Sequence, residues 1–250
     1  MDSKNYIYGI RAVIEAIEAG KDIDKVLVRR DLTGDLSREL MAKIKEYDVV
    51  MQKVPQEKLN RITMKNHQGV VALFSPVSYQ KLEHLVPLFY EEGRNPLVVV
   101  LDGITDTRNF GAIGRTADCA GVDAIVIPER NSVTVTPDAM KTSAGGLLHV
   151  PVCREKTTLS AVRFLKDNGY RIVGATEKGA QNYTEADYRV PVAIVMGNEE
   201  TGISDDVLRQ CDDLAAIPIL GKIGSLNVSV AAGVMMYEAV RQRIISREGN

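Results

Sequence analysis

The 250-residue chain contains no apolar run approaching the roughly 20 residues needed to cross a bilayer. Its opening, MDSKNYIYGIRAVIEAIEAG, carries no apolar signal core. These absences set aside a membrane-spanning protein and a secretory leader, and a cytoplasmic location is the expectation. Cysteine is scarce: Cys119, Cys153 and Cys211 are isolated and odd in number. They offer neither a disulfide framework nor a thiolate zinc site. His67, His84 and His149 are far apart and share no ligand-like spacing with the cysteines, so no metal is expected. No sign of charge dominates either, the net charge being −2. A broadly basic nucleic-acid binder is therefore disfavoured, and an RNA partner would need a local basic patch. Residues 1–75 hold 13 Lys or Arg against 11 Asp or Glu, only a slight positive excess.

Several catalytic fingerprints are missing as well. After the apolar run at 97–101, the spacing Gly103, Gly111, Gly114 lacks the tight Gly-x-Gly opening of a dinucleotide site. GNEETG and GKIGS fail the phosphate-loop pattern, and no Gly-x-Ser-x-Gly elbow occurs. A nicotinamide enzyme, a nucleotide triphosphatase and a serine hydrolase of that type are disfavoured.

What is present is a 45% apolar composition, enough for a sizeable core in one large or two small domains. Three glycine-rich turns follow three strand-like runs: residues 101–121, 195–204 and 217–233. Each carries polar side chains, a pattern that reads as a composite site on an enzyme. Residues 1–76 are expected to form a small α/β unit. Its helix after Gly9 carries Val13, Ile14 and Ile17 at helical spacing. Strands are expected at 26–28, 48–51 and 67–74, a helix capped by Ser37, and a short helix over 59–64. A linker over 77–95 holds one amphipathic helix with Leu82, Leu85 and Leu88 on its stripe. From 96 to 250, strands (97–101, 124–127, 149–153, 171–175, 190–196, 214–220) alternate with helices (109–120, from 137 toward 144, 158–167, 204–210, 227–245). That alternation predicts an α/β fold with a mostly parallel sheet and helices on both faces.

Three segments carry a specific resemblance: NFGAIGRTADCAG (109–121), IVMGNEETGIS (194–204) and IPILGKIGSLNVSVAAG (217–233). In order and spacing they resemble the motifs of the SpoU/TrmH family of RNA ribose 2'-O-methyltransferases, within the SPOUT superfamily. YGIRAVIEAI (8–17) and HQGVVA (67–72) are similar to the substrate-binding domain of the bacterial enzymes that methylate a guanosine ribose in 23S ribosomal RNA. The resemblance implies a deep trefoil knot at the C-terminus, with residues 217–226 threading an earlier loop. It implies S-adenosylmethionine as cofactor, held by Gly197, Ile217 and Leu226 with help from Ala175, Thr176, Ile219 and Gly221. It also implies a homodimer, for which Val234, Met235, Met236 and Tyr237 of the last helix supply excess apolar surface.

By the same carry-over, Arg115 is the residue expected to carry catalysis. A guanidinium is a poor base because it holds its proton far above neutral pH. Positioning an RNA phosphate and stabilising charge on oxygen is the better role. Asn109 is expected to orient Arg115 or the target ribose, or to cap its helix. Glu199 orients the arginine or meets substrate, while Ser225 and Asn227 organise the loop or cap a helix. Asn198 stands where the family often has alanine, with no side-chain role expected. Arg11, Arg29, Arg30, Lys65 and His67 are the candidate RNA contacts. Guanosine methylation in 23S ribosomal RNA leads. Methylation of a transfer RNA guanosine, or a noncatalytic role in ribosome assembly, stays open.

Overall fold

A computed structural model describes residues 5–177 and 181–248. The chain divides into two compact units, Met1–Ser78 and Tyr79–Asn250.

The first unit runs β1 (Tyr6–Tyr8), α1 (Ile10–Glu18), β2 (Ile23–Arg29), α2 (Asp35–Glu46), β3 (Met51–Val54), α3 (Gln56–Ile62) and β4 (Val70–Phe74). Its sheet has the order β1-β4-β2-β3, with β4 antiparallel to both neighbours and β3 parallel to β2. Side chains of β2 alternate between two cores, as the strand period requires. Val26 and Val28 meet Val13, Ile14 and Ile17 of α1 and Leu40 and Ile44 of α2. Leu27 joins Val54, Leu59 and Val71 on the opposite face.

Local chemistry moved several expected boundaries. Gly34 precedes α2, and Ser37 lies buried inside that helix rather than capping it. Asp48 takes a positive φ of 50°, which ends the helical region and delays the strand to Met51. His67 sits in the turn before β4 and not in the strand.

The second unit continues with α4 (Leu82–Glu91), β5 (Leu97–Asp102), α5 (Thr107–Ala120), β6 (Ala124–Pro128), α6 (Pro137–Thr142), α7 (Gly146–His149) and β7 (Val152–Glu155). Then come α8 (Thr158–Asp167), β8 (Arg171–Ala175), β9 (Gln181–Asn182), β10 (Val192–Gly197), α9 (Asp205–Leu208), β11 (Asp213–Ala216) and α10 (Val228–Glu248). All seven strands are parallel, in the order β7-β6-β5-β10-β8-β11-β9. The runs LVVVL in β5 and VAIVM in β10 are buried throughout, the signature of strands covered on both faces. Val98, Val100, Val126, Ile172 and Val195 pack with α4, α8 and α9 on one face. On the other, α10 lies against β10 and beside α5, which also carries α6 and α7. Arg171 forks onto Asp213 at 2.5 and 3.0 Å and fastens β8 to β11.

The stripe of α4 is Leu82, Val86 and Phe89, while Leu88 is 48% exposed. Two steps of three residues drift off a helical face, whereas steps of four and three stay on it. β11 ends at Ala216 instead of reaching Leu220, since Pro218 has no N–H to give to a ladder. β7 starts at Val152 because Gly146 through His149 form a short helix. In α10, Met235 and Met236 are fully buried and belong to the core, not to an interface. No described helix is long and apolar enough to cross a membrane.

Candidate active site

The loops leaving the C-terminal ends of β5, β8 and β10 lie together, where open α/β sheets offer a crevice. Two ties hold the β5 and β10 loops to each other. Asp102 accepts from the backbone N–H and hydroxyl of Ser204 at 2.8 and 2.7 Å. Asn198 donates to the carbonyl of Gly103 at 2.8 Å, while its Oδ1 accepts from the N–H groups of Glu200 and Thr201 at 2.8 and 3.3 Å. The Asn198 side chain thus shapes the turn, a role not expected of it from the motif. Gly197 is needed by that same turn. A Cβ there would stand 2.3 Å from the backbone of Gly202 and Ile203. Its close neighbour is the chain itself.

Helix α5 presents four faces at about 100° per residue. Phe110, Ile113 and Ala117 are buried. Gly111 and Gly114 take α6 and α7 at close range: a Cβ on either would lie 2.6 Å from Thr142 or Leu147. The motif glycines therefore serve helix packing rather than a ligand. Asp106 caps the helix through the N–H groups of Arg108 and Asn109, so Asn109 is not the cap.

Asn109 instead reaches outward. Its Nδ2 donates to Oε1 of Glu199, and its Oδ1 accepts from Nδ2 of Asn227 at 3.0 Å. Asn227 in turn accepts from the N–H and hydroxyl of Ser229 at 2.9 and 2.6 Å, capping α10. One short chain of hydrogen bonds thus joins the three glycine-rich segments read from the sequence.

Beside this chain lies a cleft of about 260 Å³. Ala175, Thr176, Gly197, Ile217, Ile219 and Leu226 line it, with Glu199, Ser225 and Asn227 at its polar end. Gly221 is not part of the lining; it sits in open space on the same loop. Arg115 is not part of it either. Six residues separate it from Asn109, which on a helix is about 120° of rotation. Arg115 stands on the exposed face of α5, and neither Asn109 nor Glu199 bonds to it.

In the first unit, Arg29 and His67 meet around Gly69. The Arg29 N–H donates to the Gly69 carbonyl, and the Gly69 N–H donates to Nδ1 of His67 at 3.0 Å. Nε2 of His67 pairs with Asn60 at 2.9 Å, so this buried ring organises the turn. Arg29 also bonds Gln56 at 3.2 Å and pairs with Asp31 at 2.7 Å. Arg30 and Lys65 are exposed. Arg11 stands apart on α1, paired with Glu39 at 3.4 Å.

Residues 96–237 match the SpoU rRNA methylase family, and residues 6–80 match the substrate-binding domain of RNA 2'-O ribose methyltransferases. The chain belongs to the SpoU family of RNA methyltransferases. A TrmH family tRNA/rRNA methyltransferase of Staphylococcus saprophyticus is 38% identical over 95% of both chains. An AdoMet-bound rRNA methyltransferase from Sinorhizobium meliloti is similar across 94% of this SpoU chain and 86% of its own, at 28% identity and a TM-score of 0.60. A TrmH/SpoU tRNA-modifying enzyme of A. aeolicus is similar across 66% of this chain and 86% of its own, at 31% identity and a TM-score of 0.56.

Other features of this SpoU site escaped the sequence reading. Met196 and Ala215 also line the cleft, and only their position at strand ends could have flagged them. Burial pushes the Cys153 thiol up to about 12 and that of Cys211 to about 11, which keeps both protonated at neutral pH. Among the described residues no group of His, Cys, Asp and Glu could hold a metal ion.

Proposed function

We propose that the chain methylates the ribose 2'-oxygen of a guanosine in 23S ribosomal RNA, using S-adenosylmethionine, in the cytoplasm and as a homodimer. The observation that carries this reading is the Glu199–Asn109–Asn227 chain at the rim of the cleft. It draws the three motif segments to a single place.

The cleft suits the cofactor. Ile217 and the 39%-exposed Leu226 give apolar walls of the kind a planar, amphipathic adenine takes up. Backbone near Ala175, Thr176 and Gly197 lies at the same cleft. Gly221 acts through the loop it shares with Ile219. Bound S-adenosylmethionine supplies a methyl group on an activated sulfonium, so the chain's work is alignment and charge. Oε1 of Glu199 is taken by Asn109, while Oε2 has no hydrogen bond among the described residues and offers an acceptor for a ribose hydroxyl. Ser225 and Asn227 hold the loop between cofactor and ribose. Arg115 steadies an RNA phosphate and the charge developing on oxygen. The knotted threading of residues 217–226 belongs to the same proposal.

Ribosomal RNA is favoured over transfer RNA by extent of similarity. The rRNA methyltransferase of S. meliloti is similar across nearly the whole chain, the tRNA-modifying enzyme across two thirds of it. Arg11, Arg29, Arg30 and Lys65 would supply phosphate contacts from the first unit, with His67 holding the Gly69 turn beside Arg29. For the homodimer, α10 leaves Val230, Tyr237 and Ile244 about half exposed at seven-residue intervals, an apolar stripe on one helix face.

The test is incubation with labelled S-adenosylmethionine and undermethylated 23S ribosomal RNA or transfer RNA, with nucleoside mass spectrometry of the products. 2'-O-Methylguanosine in the ribosomal RNA is expected. Product confined to transfer RNA moves the substrate, and no product in either removes the reading. Leu226→Glu, which places a carboxylate in the apolar wall, is expected to weaken cofactor binding at least tenfold by calorimetry. An unchanged affinity takes Leu226 out of the cofactor site.

A further inference from the structure

Three faces of α5 are occupied. Phe110, Ile113 and Ala117 are buried. Gly111 and Gly114 receive α6 and α7, and Thr116 lies toward Gly233 of α10, 3.6 Å from where its Cβ would be. The fourth face carries Arg108, Ala112, Arg115 and Cys119. Arg108 and Arg115 are seven residues apart, within about 20° on the helix and about 10.5 Å along its axis. Both are exposed, and neither guanidinium has a hydrogen bond or ion pair among the described residues. The nearby acids are otherwise engaged. One carboxylate oxygen of Asp106 caps two backbone N–H groups, and Asp118 pairs with His149 at 3.3 Å.

The position of Arg108 works against its own helix. A cation in the first turn opposes the macrodipole. Asp106 at the N-cap supplies negative charge there, but its bonded oxygen is taken by backbone N–H groups and it makes no ion pair with Arg108. An exposed cation without a partner among the described residues, aligned with Arg115 and adjacent in sequence to Asn109, points to function. The small Ala112 between the two arginines leaves the face open for a sugar-phosphate strand.

We propose that Arg108 grips an RNA phosphate on the strand that crosses this face, and that Arg108 and Arg115 hold two phosphates flanking the target ribose. This rests on the RNA methyltransferase reading and names a substrate contact within it. A guanidinium presents a planar fork of donors that matches phosphate oxygens, and two such forks set a register that a single one cannot. Arg108 is a positioning residue: it fixes where the strand lies and takes no part at the reacting atoms.

The test uses the full chain and the RNA whose modified nucleotide has been mapped. Arg108→Ala is expected to raise KM for RNA about tenfold while kcat and calorimetric affinity for S-adenosylmethionine stay at wild-type values. Arg108→Lys, which keeps the charge and loses the fork, is expected to restore part of the loss. The slope of log affinity against log salt should shrink by about 0.7 for the one lost phosphate contact on a single strand. Of two RNAs carrying a neutral methylphosphonate on one or the other side of the target nucleotide, one should bind wild type and Arg108→Ala alike. Wild-type KM and salt slope in Arg108→Ala overturn the proposal. So does a tenfold loss that persists on both neutral RNAs. A variant that becomes monomeric with unchanged RNA affinity assigns Arg108 to a protein interface and also overturns it. If the wild type methylates no RNA, the parent reading falls with it; an active wild type beside an indifferent Arg108→Ala removes only this inference.

Discussion

Arg115→Ala is expected to lower kcat for RNA methylation by at least two to three orders of magnitude, the scale of losing one aimed donor to developing charge. S-adenosylmethionine affinity and thermal stability should hold, because Arg115 lies outside the cleft lining and its guanidinium carries no hydrogen bond among the described residues. Single-turnover kinetics with saturating RNA separates the two effects. A loss seen only in KM would make Arg115 a simple phosphate grip, and near-normal turnover would remove it from the mechanism. Arg115→Lys should recover little, since an ammonium lacks the planar fork.

Gly197→Ala is expected to be the most damaging single methyl group that can be added at the site. The new Cβ would meet the backbone of Gly202 and Ile203 at 2.3 Å, and backbone cannot rotate aside as a side chain can. A cost of about 3 kcal/mol in stability is expected, the upper end of the usual range for overpacking. The displaced loop carries Asn198 and Glu199, so cofactor affinity and turnover should both fall. Gly221→Ala serves as the contrast, since nothing lies within 4 Å of its added Cβ. Its thermal midpoint should stay close to that of wild type. Equal midpoints for the two variants would show that the Gly197 turn opens without strain.

The architecture was legible where the physics is local. Apolar runs such as 97–101 and 192–196 announce buried parallel strands, and their alternation with helices announces the layers. The short pieces were not legible. β1 and β9 are three and two residues long and carry no period of their own. At the site, the motif residues came from resemblance, and the structure then sorted them by what they touch. Asn109, Glu199 and Asn227 form one chain of bonds. Arg115 stands about 120° further round α5 and makes no bond to that chain, a difference that a six-residue spacing encodes but a motif string conceals. The conformational work of Asn198 was hidden for another reason. An amide that bonds backbone on both sides looks, in sequence, like any polar turn residue.

Strand order has a consequence for how this chain comes into being. β10 lies between β5 and β8, both of which precede it in sequence. A growing chain therefore finishes one partial sheet, β7-β6-β5, and a lone β8 before the strand that joins them has been made. Until residue 197 is available, the facing edges of β5 and β8 lack their shared partner, and each offers a row of backbone groups to any passing strand. The bond from Asn227 to Asn109 spans 118 residues and closes later still. Cofactor binding is thus a property of the finished molecule alone. Synthesis that stops short of residue 197 leaves those edges in search of a neighbour, and synthesis that stops between 197 and 227 completes their pairing but not the cleft.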